Sequence, residues 1–183
     1  MTLANKISIF RVLLTPVFAV AILQDAPGRD WPRYTALGAF VVAALSDMVD
    51  GYVARRFDQR TKLGQVLDPF ADKLLINVAF VFLAANEHLR YAVPMWIPVV
   101  VMARDALITG SSYLIRRYRG QVRVRARLLG KVNTLLQNLT VIAVLLQFSF
   151  AAPLMIAMAI FCAVSYVDYL WSSMDQIVPK EAA

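Results

Sequence analysis

The stretch Asp47–Asp72, DMVDGYVARRFDQRTKLGQVLDPFAD, decides how the rest of the chain is organised. It contains four carboxylates, Asp47, Asp50, Asp68 and Asp72, each close to strongly apolar sequence. If both flanks are helical, the spacings of three and four residues place each pair on one helix face. A basic turn between the pairs lets the two helices fold back on each other. We therefore predict that four acids converge in a helix bundle, an arrangement suited to holding divalent metal.

The composition favours a membrane protein. Of the 183 residues, 60% are hydrophobic and only 17% are charged, against about 25% charged in a typical soluble domain. The mean hydropathy is +0.60, and a soluble domain this apolar would lack polar surface to cover itself. The net charge of +7 then marks a cytoplasmic membrane face rather than a nucleic-acid partner. One Cys and one His exclude disulfide frameworks and Cys/His zinc sites.

Apolar stretches divide the chain into six segments of near membrane-spanning length. No cleavage site follows the first of them, so we expect a retained helix rather than a signal peptide. A short interfacial segment precedes it, and the third helix begins near Asp68, with Pro69 in its first turn. The sequence thus predicts an all-α integral membrane protein with a single domain, residues 1–183. The six transmembrane helices are predicted at about 7–23, 34–54, 68–85, 93–115, 128–148 and 154–171.

Basic residues concentrate in two loops, after the second and the fourth helix. The turns on the other side hold three arginines, offset by three acids. By the positive-inside rule, both termini and both basic loops are cytoplasmic. This orientation puts the four acids at the cytoplasmic end of the bundle.

Four ionised carboxylates at membrane depth repel one another and are costly unless paired or bound to metal. All-oxygen ligands favour hard ions such as Mg²⁺, Mn²⁺ or Ca²⁺, and two ions bridged by shared carboxylates suit phosphate displacement. One alternative is that Asp68, before Pro69, is a helix N-cap. Gly51 and Ala54 form a small-residue face, which fits either close helix packing or the approach of a base or pyrophosphate.

The full pattern Asp47-x2-Asp50-Gly51-x2-Ala54-Arg55-x8-Gly64-x3-Asp68-x3-Asp72 resembles the signature of the CDP-alcohol phosphotransferases. The resemblance implies two divalent metal ions, Mg²⁺ or Mn²⁺, that hold the diphosphate of CDP-diacylglycerol. It also implies a homodimer, with this branch placed in the bacterial inner membrane. The implied roles are metal binding by Asp47, Asp50, Asp68 and Asp72, proton removal by Asp72, and CDP-lipid binding by Gly51, Ala54, Arg55, Gly64 and Asn5.

The acceptor alcohol is less closely defined. Arg104-Asp105, Lys131 and Thr134, with Asn5 and Arg11 near the N-terminus, resemble the branch that uses glycerol-type acceptors. That branch includes phosphatidylglycerophosphate synthases, which use glycerol 3-phosphate, and cardiolipin synthases, which use phosphatidylglycerol. We favour the former, then the latter, and then enzymes for serine or inositol phosphate. Acceptor binding is assigned to Arg104, Asp105, Arg127, Lys131 and Thr134.

Two other interpretations fit parts of this sequence. The basic residues near Lys131 can serve as topology determinants that face anionic lipid rather than as ligands of an acceptor phosphate. An ion or proton transporter would also use intramembrane acids, but it predicts them near the midplane of the bilayer and on discontinuous helices. Acids clustered at one end beside a basic loop favour the phosphatidyltransferase.

Overall fold

The architecture is a bundle of α-helices. The structure, a computed structural model, describes the backbone of residues 3–57, 64–119 and 128–177, and the side chains of residues 9–46, 73–110 and 129–169. This described backbone forms six helices and no strand, which confirms the all-α prediction. They are α1 Leu3–Leu23, α2 Trp31–Phe57, α3 Gly64–Ala85, α4 Trp96–Arg119, α5 Leu128–Leu145 and α6 Ala151–Ile177.

Several helix boundaries differ from the predicted ones. Helix α1 begins at Leu3, so residues 3–6 continue the first helix and do not form a separate interfacial segment. Helix α3 begins at Gly64, so Asp68 lies inside the helix and Pro69 lies beyond its first turn. The interpretation of Asp68 as an N-cap is therefore wrong, because an N-cap residue directly precedes the first turn of its helix. Helix α4 begins at Trp96, after Pro94.

Helix α1 packs closely on both α2 and α3. Phe18 of α1 and Phe40 of α2 are fully buried, and their ring centroids lie 5.9 Å apart. Ala36, Ala39 and Ala43 repeat along the buried face of α2, and small side chains of this kind let helix backbones approach closely. The other main contacts join α6 to α4 and to α5, while α3 also packs against α4.

One end of the bundle, which we call the acid end, is where α2 ends at Phe57 and α3 begins at Gly64. At the opposite end, which we call the far end, a polar contact fastens α1 to α3. The Asn86 amide nitrogen donates to Asp25 Oδ2 at 3.0 Å and to the Ile22 carbonyl at 3.4 Å, while Asn86 Oδ1 accepts from the His88 N–H at 2.8 Å. Asp25 and Asn86 are both buried. Ile22 and Asn86 therefore stand at the same level of the bundle.

Large apolar side chains cover much of the outer surface. Contiguous apolar surface of this kind is uncommon on soluble monomers. Within the described residues one helix, Ala151–Tyr169, is long and apolar enough to cross a membrane, while Ile9–Leu23, Lys73–Ala85 and Leu129–Leu145 are shorter apolar helices. Examples of the exposed apolar residues are Leu13, Leu23, Val99, Ile156, Ile160 and Val167.

Candidate active site

The four acids of the stretch Asp47–Asp72 lie on two consecutive helices, in the halves of these helices nearer the acid end of the bundle. Asp47 and Asp50 belong to α2, and Asp68 and Asp72 belong to α3. Both flanks are therefore helical, which is the condition under which each pair shares one helix face. The side chains of these acids lie outside the described part of the chain, so their convergence on metal stays a prediction.

The residues assigned to the CDP-lipid also have helical backbones. Gly51, Ala54 and Arg55 belong to the last two turns of α2, Gly64 is the first residue of α3, and Asn5 lies in the first turn of α1. Their side chains lie outside the described ranges. Their roles toward the nucleotide stay predictions as well.

Directly after Asp72, Lys73 connects α3 to α4. Its ammonium group donates to Thr109 Oγ1 at 2.6 Å and to the Asp105 carbonyl oxygen at 3.3 Å. Hydrogen bonds from a charged donor are stronger than those between neutral groups. This contact fixes the middle of α3 against the middle of α4, one residue from the predicted base.

Arg104 and Asp105, two predicted acceptor residues, form an ion pair inside the bundle. Arg104 Nη1 lies 2.9 Å from Asp105 Oδ1, and the two side chains are only 12% and 8% exposed. Arg104 Nη2 donates to Ser165 Oγ of α6 at 3.1 Å, while Nε has no hydrogen-bond partner in the described structure. The guanidinium group is thus turned toward α6 and neutralised by its neighbour. Its buried Nε–H remains available to donate to a further acceptor atom.

Helix α5 brings a second set of polar groups to the interior. Asn133 and Gln137 are buried one turn apart, and Gln137 Nε2 lies 3.7 Å from Cys162 Sγ of α6. Ser165 follows Cys162 by three residues, so the same face of α6 meets both α4 and α5. The buried ends of Arg104 and Gln137 therefore approach one polar strip of α6.

The other predicted acceptor residues lie differently. Lys131 is exposed on α5, and the Thr134 hydroxyl donates to the Gly130 carbonyl at 3.2 Å. The described contacts join Arg104 to Asp105 but join neither of them to Lys131 or Thr134. Arg127 lies outside the described residues. The structure thus pairs two of the five predicted acceptor residues, and the acceptor assignment of all five stays a prediction.

Sequence reasoning assigned no site role to Lys73, Thr109 or Ser165. Lys73 follows Asp72 directly, but a lysine beside four acids fits an ion pair with them as well as a bond to another helix. Thr109 and Ser165 are single hydroxyls within apolar helices, a pattern that also fits a hydroxyl bonded to its own backbone. Their partners lie 36 and 61 residues away in the chain, and no helical periodicity reveals such pairs.

The residues present fit a hard divalent metal by their donor chemistry. The acids of α2 and α3 offer carboxylate oxygens alone, which are the preferred ligands of Mg²⁺ and Mn²⁺. Elsewhere, among the described side chains, no three His, Cys, Asp or Glu residues come together. The stretch Asp47–Asp72 is therefore the part of the chain to which the sequence assigns a divalent metal ion.

The fold and the sequence together define the class of the protein. The family model for CDP-alcohol phosphatidyltransferase matches residues 1–167. The chain therefore belongs to the CDP-alcohol phosphatidyltransferase family, and it is a phosphatidyltransferase enzyme. The family is associated with membranes and phospholipid biosynthesis, and it generally uses a divalent metal.

Individual relatives narrow the comparison. A CDP-diacylglycerol–glycerol-3-phosphate 3-phosphatidyltransferase of Bacillus subtilis (strain 168) is 35% identical over 157 residues, covering 79% of this chain and 77% of the relative. The protein of the same name from Blochmanniella floridana is 29% identical over 171 residues, or 91% of this chain and 84% of the relative. The human cardiolipin synthase (CMP-forming) is 30% identical over 169 residues, which is 83% of this chain but 51% of the relative.

Proposed function

We propose that this chain transfers the phosphatidyl group of CDP-diacylglycerol to a hydroxyl of glycerol 3-phosphate and releases CMP. The observation that carries the choice of acceptor is the extent of the match. The two relatives named for glycerol 3-phosphate are matched over 77% and 84% of their length, and the human cardiolipin synthase over 51%. Cardiolipin synthesis is the second candidate, because relatives with that name match at similar identity.

The proposed reaction is a displacement at phosphorus. The acceptor oxygen attacks the phosphorus that carries the diacylglycerol, and the bond from that phosphorus to the bridging oxygen of CMP breaks. Asp72 takes the proton of the attacking hydroxyl, because an alcohol oxygen is a weak nucleophile until a carboxylate assists its deprotonation. Asp47, Asp50, Asp68 and Asp72 would hold two divalent ions. When bound, such ions neutralise the diphosphate and stabilise the departing CMP.

The described side chains support the acceptor end of this proposal. Lys73, directly after Asp72 in the chain, fixes the middle of α3 against the middle of α4. Arg104 Nε–H is buried without a partner in the described structure, and a phosphate or hydroxyl oxygen would satisfy it. Lys131 is exposed on α5 and free to reach an anionic acceptor. Glycerol 3-phosphate offers both a hydroxyl and a phosphate to such groups.

We further propose that all six helices cross the bilayer, with the acid end and both termini in the cytoplasm, and that the protein is a homodimer in the bacterial inner membrane. The apolar outer surface supports several crossings, and the basic residues at the acid end support the orientation. Single cysteines placed in the α2–α3 loop and in the α3–α4 loop of a Cys162→Ala variant test this. In intact cells we expect a membrane-impermeant maleimide to label the second position and not the first. The reverse labelling would contradict the orientation.

The function itself is tested by supplying CDP-diacylglycerol with glycerol 3-phosphate, phosphatidylglycerol, serine or inositol phosphate in separate reactions. We expect CMP release with glycerol 3-phosphate to exceed that with the others. A preference for phosphatidylglycerol would establish the second candidate, and turnover with none of them would refute the acceptor assignment. CDP-lipid-independent ion uptake into liposomes would support the transporter interpretation.

The role of the acids is tested separately. Asp47→Asn and Asp72→Asn should abolish turnover while the protein still folds. Asp30→Asn is a matched control, because Asp30 is exposed near the far end, where it pairs only with Arg33 at 2.9 Å. Retained activity in both of the first two variants would refute the role assignment.

A further inference from the structure

Arg11 is a charged side chain enclosed within the helix bundle. It is 1% exposed, and all three of its guanidinium nitrogens are buried. Removing an arginine from water is costly unless an oppositely charged or strongly accepting group lies against it. Helix α1 packs against α2 and α3, so the partner of Arg11 is to be sought on those two helices.

The register of α1 against α2 identifies the level of that partner. Phe18 and Phe40 touch, with ring centroids 5.9 Å apart, and the short α1–α2 connection makes the two helices antiparallel. Arg11 precedes Phe18 by seven residues, and Asp47 follows Phe40 by seven residues. Seven residues are close to two helical turns. Position 11 therefore lies on the same face of α1 as Phe18, and position 47 lies on the same face of α2 as Phe40. Positions 11 and 47 therefore meet at one level of the α1–α2 interface.

The register of α1 against α3 agrees with this level. The Asn86 amide touches the Ile22 carbonyl, and eleven residues back from each of them stand Arg11 and Leu75. Asp72 lies one turn farther toward the acid end. Arg11 is thus at the inner edge of the predicted four-acid site.

Among the other described residues near this level on the facing helices, Asn77 of α3 has a buried amide oxygen without a described partner, but that group is neutral. Ala43, Leu75, Ile76 and Ala79 are buried and apolar. The Ser46 hydroxyl donates to the Val42 carbonyl of its own helix at 2.7 Å. The acids of α2 and α3 are the groups of opposite charge that the register brings to Arg11.

We propose that Arg11 is a positioning residue that pairs with the Asp47 carboxylate across the α1–α2 interface. The inference rests on the proposed metal-binding role of Asp47, and it adds to that proposed site a residue, Arg11, that is not itself a metal ligand. The guanidinium holds the carboxylate in one orientation and offsets the repulsion among four like charges before metal arrives. A fixed carboxylate then presents its outer oxygen to the ion, which is what a supporting group beyond the ligands contributes to a metal site.

The test is a double-variant cycle of thermal unfolding, run on the full chain in detergent with EDTA. Arg11→Met should lower the melting temperature by on the order of 10 °C, because a buried charge loses its partner. Asp47→Asn should lower it similarly, and the double variant should lie close to either single variant. The same cycle with Asp50→Asn is the matched control and should show clearly weaker coupling, because position 50 lies about a quarter turn around α2 from the face of Phe40.

Three outcomes would overturn the proposal: additive effects of Arg11→Met and Asp47→Asn, stronger coupling of Arg11 to Asp50, or no effect of Arg11→Met on melting. If Arg11→Met does not fold, Arg11→Lys takes its place in the cycle, since it keeps the charge and loses the bidentate geometry. Mn²⁺ binding, followed by electron paramagnetic resonance without substrate, should weaken about tenfold in Arg11→Lys. Because melting in EDTA requires no turnover, a failed transferase assay would leave coupling at Arg11 measurable, and the two failures are distinguishable.

Discussion

Replacing Lys73 by Met would separate the positioning of α3 from the chemistry of the acids. The variant keeps the length and apolar stem of the side chain and removes its ammonium group. It thereby removes the 2.6 Å bond to Thr109 Oγ1 and the 3.3 Å bond to the Asp105 carbonyl. The first bond is short and charge-assisted, but Thr109 is exposed, so we place it at the low end of the range for charged hydrogen bonds, about 1.5 kcal/mol.

If that energy holds Asp72 in place during reaction, its loss corresponds to about a tenfold decrease in kcat. The assay is CMP release from CDP-diacylglycerol at saturating Mg²⁺ and acceptor. Thr109→Val should give a decrease of the same kind but smaller, because the ammonium group keeps its bond to the Asp105 carbonyl. Thr109→Ser retains the hydroxyl and should stay within about twofold of the unchanged protein.

The combined Lys73→Met and Thr109→Val variant gives the decisive comparison. Because both substitutions remove the same bond, the double variant should be no slower than Lys73→Met alone. Multiplying effects would show that the two side chains act independently, and the reasoning from their contact would be refuted. A Lys73→Met protein of normal kcat would refute it equally.

Three further perturbations test other parts of the structure. Asn86→Leu removes the bonds to Asp25 and Ile22 and should lower the free energy of unfolding, measured by thermal unfolding, by about 3 kcal/mol. At low temperature its kcat should be unchanged, and a lower kcat at that temperature would show that the far end influences the active site. Ser165→Ala frees Arg104 Nη2 and should raise the KM for the acceptor about fivefold without changing the KM for CDP-diacylglycerol. The control Ser149→Ala, in the α5–α6 turn, should leave both KM values unchanged. Chelation with EDTA should stop turnover and added Mg²⁺ or Mn²⁺ should restore it, so activity that persists through chelation would count against a metal site.

Much of the fold could be predicted from the sequence because helix formation is a local property. Apolar runs broken by proline, glycine and charge indicated six helices, and the structure has six in the described residues. Their ends were less predictable. Asp68-Pro69 resembles a helix start, yet α3 begins at Gly64, since propensity at a helix end is weak compared with packing against neighbours.

The candidate site likewise has a part that could be predicted from the sequence and a part that could not. The helical placement of the acids could be predicted from spacing, because three- and four-residue intervals have a fixed meaning on a helix, while their role at the site stays a prediction. The partners of Arg104 could not, because Ser165 reaches it only through the packing of α6 on α4. Thr109 is a similar case: its bond to Lys73 depends on how α4 lies against α3. Pairs that join separate helices are determined by the tertiary structure.

The contact between Asn86 and Asp25 has a consequence for biogenesis. Asp25 lies two residues after α1, but the amide that shields it comes 61 residues later, beyond α3. While the ribosome has delivered only α1 and α2, that carboxylate has no donor from Asn86 and keeps its hydration. The nascent N-terminal hairpin is therefore incomplete until the third helix packs beside the first. We expect a fragment ending after α2 to be a substrate for quality-control proteases and one ending after the Asn86 turn to resist them.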